Sequence, residues 1–448
     1  MPPSRRLHRW TPALVAALLL MPLGLRAEDL TAVFNLARDN DPKFRAAESN
    51  YLAGREKLPQ ARATLMPTIN ARAARDRNDN ETTTDAFIPG RPSGRFEYSS
   101  TEYTLNLSQP VYNGVIFSGL KQARAEVRRA EAEYAAAGQD LVLRVAEAYF
   151  GTLAAQDNVE FARSEKTSIQ RQLESAEARL KVGLATITDM HDARARFEIA
   201  AAQEIEAENR WQDKREALRE LTGRQPEALA RTGPNMPLIT PEPADIDQWV
   251  EKSLAQNYPL IARREAADSA REEVKRLRAG HYPTLDLVGT RTRNDADGSV
   301  TGTGIRSDNT VVGLQLNVPL FQGGLVNSRT EEAAHRYDAA QQELEATRRA
   351  TERAARAAYL GVASGASRVT ALAQAVVASE SALAAKTEGF TAGVNTNIDV
   401  LDASRDLYRA KRDLASARYD YLLNLLRLKQ AAGTLSENDL AQINAWLQ

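Results

Sequence analysis

The chain has no cysteine and only four histidines among its 448 residues. The absence of cysteine excludes disulfides, thiolate chemistry, cysteine-ligated zinc and an N-terminal lipidated cysteine. With so few histidines, a histidine-rich metal site is not expected either. Neither sign of charge dominates, because 58 Lys+Arg face 59 Asp+Glu. The charge balance therefore gives no indication of a nucleic-acid-binding protein.

Catalytic motifs are also missing. The sequence has no GxSxG motif, P-loop, HExxH metal motif or dinucleotide-binding fingerprint. The glycine-rich run at 298–304 lacks the Lys-Ser/Thr pair that follows in a phosphate loop. His191, His281 and His335 show no ligand-like spacing. We therefore expect a protein that is not an enzyme and holds no cofactor or metal.

Residues 1–27 have the composition of a secretory signal peptide. Three arginines precede an apolar stretch from Ala13 to Leu25, and Ala27 ends an acceptable cleavage site. An uncleaved anchor is the alternative. No later run approaches 18 apolar residues, so no transmembrane helix is expected. A secreted chain without cysteine fits a bacterial envelope better than a eukaryotic extracellular space.

The chain repeats itself at an offset of about 210 residues. Residues 182–193 match 392–403 in the glycine, a threonine, both aspartates and the final alanine. Helix composition alone does not produce such coincidences. The predicted division is a first structural repeat at 28–222, a proline-rich connector without regular structure at 223–247, a second repeat at 248–433 and a C-terminal segment at 434–448.

Each repeat is predicted to contain a helix, two strands, a long helix and another helix. The proline-free segments 115–181 and 325–391 are rich in helix formers, and each would span roughly 100 Å. Apolar residues recur every seven positions in the last helix, which favours left-handed supercoiling in a cylinder wall. A helical bundle core would give the same stripes. The two stripes are Val400, Leu407, Leu414, Tyr421 and Leu428, and Leu401, Tyr408, Ala415 and Leu422.

Four short segments alternate between apolar and polar residues. In one of them Val312, Leu314 and Leu316 share a face, and the polar loops are expected at 78–95 and 294–309. This pattern is a weak signature of an outer-membrane β-barrel. Four strands cannot enclose a lumen, since about eight are needed, and open edges are too costly in lipid. Several chains must therefore contribute if the strands lie in a membrane, and three chains would give twelve strands. Two soluble hairpins capping a helical bundle are the alternative.

Two pairs of aspartates have the same spacing near helix starts. Asp399 and Asp402 are three residues apart, as are Asp189 and Asp192. In a trimeric tube Asp399 and Asp402 would place six carboxylates around one axis, which attracts cations and raises some carboxyl pKa values by repulsion. Helix capping is the competing interpretation. No sugar-binding aromatics accompany the carboxylates, which disfavours an acid/base pair.

These segments resemble the TolC-like family of outer-membrane efflux and type I secretion ducts. The resemblance covers essentially the whole mature chain and rests on residues 182–189, 281–287, 319–324 and 398–403. It implies a mainly α protein with β structure. Three protomers would form an α-helical barrel crossing the periplasm, continued into a twelve-stranded antiparallel β-barrel in the outer membrane with four strands per protomer. The duct would export small molecules, proteins or both.

The resemblance also implies roles for particular residues. Asp399 and Asp402 match the family's acidic constricting ring at the periplasmic entrance. A periplasmic adaptor would contact the helical tips, and an inner-membrane pump of the ABC, RND or MFS type would supply the energy. The implied adaptor-contact residues are Val182, Gly183 and Gly393. A periplasmic coiled-coil scaffold or adaptor without a pore is the alternative function.

The sequence departs from the family at its lock. Family members often close the entrance with an Arg and a Tyr from the second repeat, bonded to a Thr and an Asp from the first. Thr188 and Asp189 persist here, but Asn395 and Phe390 occupy the Arg and Tyr positions. Asp192 adds an acid where some relatives have an amide. The charged bond to Asp189 is therefore missing, and a weaker or differently held closed state is expected.

Overall fold

The computed structural model describes residues 28–83, 93–233, 236–299 and 303–447. The predicted signal peptide at 1–27 lies outside these residues. The first half contains α1 (Leu30–Asn40), α2 (Pro42–Arg55), α3 (Lys57–Ala63), β1 (Thr68–Thr82), β2 (Gly94–Tyr112), α4 (Gly114–Lys181) and α5 (Ile187–Thr222). The second half contains α6 (Ile246–Gln256), α7 (Tyr258–Arg278), β3 (Thr284–Ala296), β4 (Ile305–Asn317), α8 (Leu325–Thr391), α9 (Asn397–Ala431) and α10 (Glu437–Asn444).

The first helix predicted for each repeat is broken in the structure. Asp41 ends α1 and caps α2, accepting a hydrogen bond from the Phe44 N–H, and Pro42 begins α2. Asn257 separates α6 from α7 in the same way. A proline in the first turn has no N–H to lose, and the preceding Asp or Asn satisfies the free donors. The prediction of one continuous helix at these places was wrong.

The two long helices carry the core of the protein. α4 packs along α5 and α7, and α8 packs along α9 and α7. The largest apolar cluster lies around Tyr149, Phe150 and Tyr421, all of which are buried. The predicted stripes on α9 face inward, since Val400, Leu401, Leu407, Tyr421, Leu422 and Leu428 are buried. Toward the helical tips, which are the α4–α5 and α8–α9 turns, the apolar clusters become small and alanine-rich.

The proline-rich connector is fixed against this core. The Tyr149 hydroxyl donates to the Ala230 carbonyl at 2.8 Å, and the Tyr421 hydroxyl donates to the Ile239 carbonyl at 2.7 Å. Isolated bridges join the connector to Glu28 and to Leu447 near the two ends of the described chain. Regular helix begins at Ile246, two residues inside the predicted connector, because the Asp245 carboxylate caps it.

The four strands form one antiparallel sheet in the order β1-β2-β3-β4. A bulge interrupts the β2–β3 register near Pro110. The strands extend into the predicted polar loops, since β1 and β3 continue to Thr82 and Ala296. The polar composition of these positions predicts loops, but cross-strand pairs stabilise them as strands, so the predicted loop boundaries were wrong. The pairs include Arg77 with Glu97, Asn78 with Ser100, Asn80 with Tyr98 and Arg306 with Asp295.

One described helix, α8, is long and apolar enough by composition to cross a membrane. Its most apolar 18-residue window has a mean hydropathy of 1.2, and 17% of that window is buried in the protomer. The helix has 67 residues, so it is roughly 100 Å long, about three times a bilayer's hydrocarbon thickness. Its alanine-rich surface is that of a helix packed in a wall, and we do not assign it as a membrane span.

Candidate functional site

The two faces of the sheet differ in polarity. Ile69, Leu107 and Val312 fall in register on one face, which is rich in exposed aliphatic side chains. Asn70, Asn106 and Thr290 share a register position on the other face, where the Thr290 hydroxyl donates to Asn106 Oδ1 at 3.0 Å. β1 and β4 have no strand partner on their outer edges within the described chain. The sheet has the polarity of a barrel wall, with one side for lipid and one for water.

Aromatic residues mark the height of the apolar face. Tyr103 and Tyr112 on β2 are both exposed and nine residues apart, which corresponds to about 23 Å for a strand tilted by about 40°. That height matches the roughly 25 Å apolar band of membrane barrels between their aromatic girdles. Leu320 and Phe321, in the β4–α8 connection, are almost fully exposed.

The opposite end of the protomer consists of two helical turns with nearly the same backbone. α4 ends through Gly183 at φ +76°, and α8 ends through Gly393 at φ +78°. The Leu184 N–H donates to the Arg179 carbonyl and the Val394 N–H donates to the Gly389 carbonyl, both at 2.8 Å. This is a Schellman ending, in which glycine adopts the left-handed conformation without strain.

The following helices begin with identical capping boxes. Thr186 Oγ1 donates to the Asp189 carboxylate at 2.7 Å and accepts from the Asp189 N–H at 3.1 Å. Thr396 and Asp399 repeat these bonds at 2.6 and 3.2 Å. The capping alternative considered for Asp189 and Asp399 is therefore present in the protomer. Thr188 is exposed beside the first cap, and Asp192 lies half-buried one turn later.

The second-repeat aspartates are also paired with basic side chains. Lys386 Nζ of α8 lies 3.9 Å from the Asp399 carboxylate. Asp402 lies 2.9 Å from an Arg196 guanidinium nitrogen of α5 and 3.6 Å from Arg405. Within the described ranges Asp192 enters no salt bridge. The protomer therefore balances the charge of Asp399 and Asp402 but leaves Asp192 without such a partner.

The pKa of Asp399 is lowered, chiefly because the Thr396 hydroxyl and N–H donate to its carboxylate and Lys386 lies nearby. The N–H and hydroxyl of Thr186 lower the pKa of Asp189 in the same way. The sequence predicts that repulsion around a trimer axis raises some pKa values among the copies of Asp399 and Asp402, which requires three subunits. Within one protomer the pKa values of Asp399 and Asp189 are lowered, because hydrogen bonds to the charged form outweigh the loss of hydration.

Phe390 and Asn395, the two residues predicted to replace a lock, make different contacts in the structure. The Arg179 guanidinium of α4 lies over the Phe390 ring of α8, 4.2 Å from its centroid. Asn395 folds back on its own turn, where its Nδ2 packs on Gly389 and donates weakly to the Lys386 carbonyl at 3.4 Å. Arg179–Phe390 and Arg196–Asp402 thus link the first and second repeats, and neither contact uses Asp189.

The first residues of α5 and α9 differ in polarity and in exposure to solvent. Ile187 begins α5 and is 61% exposed, whereas Asn397 begins α9 at the equivalent place and is 6% exposed. Neither Asn397 Nδ2 nor Asn397 Oδ1 has a hydrogen-bond partner among the described residues. The apolar side chain therefore faces water, and the polar one is buried without compensation.

The basic residues beside these aspartates were not predicted from the sequence. Arg179 could have been found, because it lies in the last turn of α4, where cations are favoured. Lys386 lies before the last turn of α8 and carries no such signal. Arg405 follows Asp402 by three positions on one helix, which is also a readable signal. Arg196 could not, since its contact depends on how α5 lies against α9. No group of three potential metal ligands is present in the described part of the chain.

Comparison with known proteins places these features in one family. The profile of the outer membrane efflux protein family matches residues 33–224 and 249–434. Outer membrane protein TolC of Vibrio cholerae is 37% identical over 435 residues, which cover 97% of each chain. Alkaline protease secretion protein AprF of Pseudomonas aeruginosa is 34% identical, over 98% of this chain and 91% of the relative.

The fold is shared with solved structures. The crystal structure of outer membrane protein VceC from Vibrio cholerae has a TM-score of 0.78 at 23% identity, covering 90% of this chain and 96% of that one. The predicted fold class, with two structural repeats and four strands per protomer, is confirmed. The named relatives are outer-membrane and secretion proteins rather than enzymes. The chain belongs to the outer membrane efflux protein family.

Proposed function

We infer that the chain is the outer-membrane exit duct of an efflux or type I secretion system, through which small molecules or proteins pass from the periplasmic side to the exterior. One observation carries this conclusion: an open four-stranded sheet with an apolar face continues directly into helices of about 100 Å. Such a molecule lies in the outer membrane at its sheet end and extends into the periplasm at its helical end.

The assembly is a homotrimer. The free edges of β1 and β4 carry unpaired backbone groups, which are too costly in lipid unless another strand covers them. Three copies supply twelve strands in a closed ring, with the Asn70 face toward a water-filled lumen. The sequence similarity to a TolC protein and to a protease secretion protein supports the same arrangement.

The entrance is formed by the two helical tips. Asp399 and Asp402 would line the narrowest passage and favour cations. Thr188, Asp189 and Asp192 would face the second-repeat tip of a neighbouring subunit. Phe390 and Asn395 replace the family's lock, and the Arg179–Phe390 contact offers a different way to hold the closed arrangement.

The tips also bind the partners. Val182, Leu184 and Val394 are 69%, 74% and 81% exposed around Gly183 and Gly393, and they form an apolar surface for a periplasmic adaptor. An inner-membrane pump of the ABC, RND or MFS type supplies energy through that adaptor. The duct itself catalyses no reaction and binds no nucleic acid.

Cysteine crosslinking tests the assembly cleanly because the chain has no cysteine of its own. Asn70→Cys on β1 is combined in turn with Ser307→Cys, Asn309→Cys and Val311→Cys on β4. Two strands separate β1 from β4 within one chain, about 14 Å, so an intrachain disulfide cannot form. We expect at least one combination to give linked dimers and trimers in outer-membrane fractions. Soluble, uncrosslinked protein would favour the scaffold alternative instead.

Single-channel recording tests the entrance. Asp399→Asn/Asp402→Asn should reduce cation selectivity and weaken block by multivalent cations, with Asp420→Asn on α9 as a matched control. Unchanged selectivity and block would refute the acidic constriction. Separately, Phe390→Tyr/Asn395→Arg should lower spontaneous opening by restoring the lock, and an unaltered conductance record would count against the idea that the lock is missing.

A further inference from the structure

Two arginines lie on the apolar face of the sheet, near the end of the sheet that is farthest from the helices. Arg291 and Arg293 are two residues apart on β3 and so share a face. Arg291 pairs with Leu105 of β2, and Arg293 pairs with Tyr103. The next strand places two alanines at the same two levels. These side chains line a shallow cavity of about 360 Å³ on the outer surface: Ala71, Ala73, Tyr103, Leu105, Arg291 and Arg293.

The positive charge of this arginine pair is only partly neutralised by the protein. Arg291 Nε lies 3.5 Å from Asp308, a distance typical of a weak, exposed ion pair. Arg293 forms no ion pair within the described ranges. The neighbouring acid, Asp295, is already bonded to Arg306 at 2.8 Å. The cavity therefore presents one guanidinium group in a weak ion pair and one without an ion pair, beside aliphatic and aromatic side chains.

The height of Arg291 and Arg293 along the membrane normal determines which part of the bilayer they contact. Tyr282, just before β3, is exposed at the lower end of the sheet, and Arg293 lies eleven residues further. For a strand tilted by about 40°, this is a height of roughly 28 Å, slightly more than the roughly 25 Å apolar band. Arg293 thus reaches the headgroup level, and Arg291 reaches it with its long side chain.

The location on β3 excludes a neighbouring subunit as the partner. β3 is covered on both edges by β2 and β4 of its own chain, so subunit contacts at β1 and β4 leave this surface facing lipid. Two guanidinium groups with about 7 Å between their Cα atoms match the multiple phosphates of a large anionic headgroup. An arginine left inside the apolar band without an anion would be costly.

We propose that Arg291 and Arg293 bind the phosphate groups of a phosphorylated glycolipid in the outer leaflet. The acyl chains of this lipid lie along the aliphatic face below, next to Leu105 and Leu107. The inference rests on the outer-membrane location of the proposed duct and not on its entrance. The bound lipid fixes the depth and tilt of the sheet at its outer rim.

Native mass spectrometry of the full-length protein in a neutral detergent tests this site. The probes are bisphosphorylated lipid A, its dephosphorylated form, phosphatidylglycerol and inorganic phosphate. Arg291→Gln/Arg293→Gln should weaken lipid A binding about 25-fold, since one cation at an anionic lipid surface contributes about fivefold. Arg291→Lys/Arg293→Lys keeps the charge without the planar fork and should give an intermediate loss.

Arg336→Gln is the control, because Arg336 is an exposed arginine on α8, outside the sheet and outside the cavity. It should leave lipid A binding unchanged. The inference is overturned if the Gln double variant, with its assembly mass retained, binds lipid A as the wild type does, if Arg336→Gln weakens binding equally, or if phosphatidylglycerol or inorganic phosphate binds as tightly. A wild-type protein that binds lipid A but shows no channel conductance contradicts the proposed duct and not the lipid site. The two failures are therefore distinguishable.

Discussion

The two helical tips of the protomer share a backbone and differ in their surroundings. Both end a long helix through a glycine at positive φ and begin the next with a Thr–Asp capping box. At the first tip, Asp192 has no salt bridge among the described residues, and Ile187 faces water. At the second, Asp402 is paired with Arg196, and Asn397 is buried. Local sequence determines the turn, and packing between the repeats determines the properties of the site.

The largest difference between the tips should come from exchanging their first helical residues. Asn397→Ile removes two buried polar atoms without partners, a cost of about 1–3 kcal/mol, so amides in the first turn of α9 should exchange hydrogen about 30-fold more slowly. The reciprocal Ile187→Asn, at an exposed position, should change exchange in α5 by less than twofold. Hydrogen exchange with mass spectrometry measures both, and equal effects would contradict the burial of Asn397.

Removing the caps should affect the two tips equally. Thr186→Ala and Thr396→Ala each delete a hydroxyl that bonds the third helical N–H, a loss of about 1 kcal/mol. First-turn amides of α5 and α9 should then exchange about fivefold faster. Serine at either position keeps the hydroxyl and should restore most of the protection. A much larger effect at one tip would mean that its cap bonds are not equivalent to those of the other.

A smaller effect is expected from the contact that only the second tip makes. A double-mutant cycle with Arg196→Gln and Asp402→Asn should give a coupling free energy of about 0.5 kcal/mol in thermal or urea unfolding, because both side chains are partly exposed. The coupling should vanish at about 1 M salt. The pair Arg194–Glu177, within the first repeat, is a suitable control. Coupling that persists at high salt would contradict a screened surface pair.

The smallest expected effect is the pH dependence of the caps. The folded-state pKa of Asp399 is below its ordinary value of 3.8, as is that of Asp189. A lowered pKa stabilises the folded state above the unfolded pKa, and this contribution is lost as the pH falls through the folded value. The difference in thermal midpoint between wild type and Asp399→Asn should therefore be constant from pH 7 to 5 and shrink below about pH 4. A difference that grows on acidification would reverse the sign.

The sequence predicted the long helices well because their ends carry local signals. α8 has the predicted bounds, since Gly324 precedes it and Gly393 follows within two residues. The strand ends were misjudged because the pairing of Arg77 with Glu97 makes polar residues stable in a hairpin. The aspartates were found by their spacing, whereas Arg196 depends on the packing of helices from different repeats. Contacts between distant segments are therefore what sequence reasoning could not supply here.

The unequal distribution of buried side chains along the protomer has a mechanical consequence. The middle of the molecule is stiffened by buried aromatic residues and by the connector, which is fixed by hydrogen bonds from Tyr149 to Ala230 and from Tyr421 to Ile239. Near the periplasmic end only alanines and a few larger side chains join α4, α5 and α9. Bending should therefore begin on the periplasmic side of the connector and increase toward the helical turns at Gly183 and Gly393. The β-sheet, on the other side of the connector, should move least.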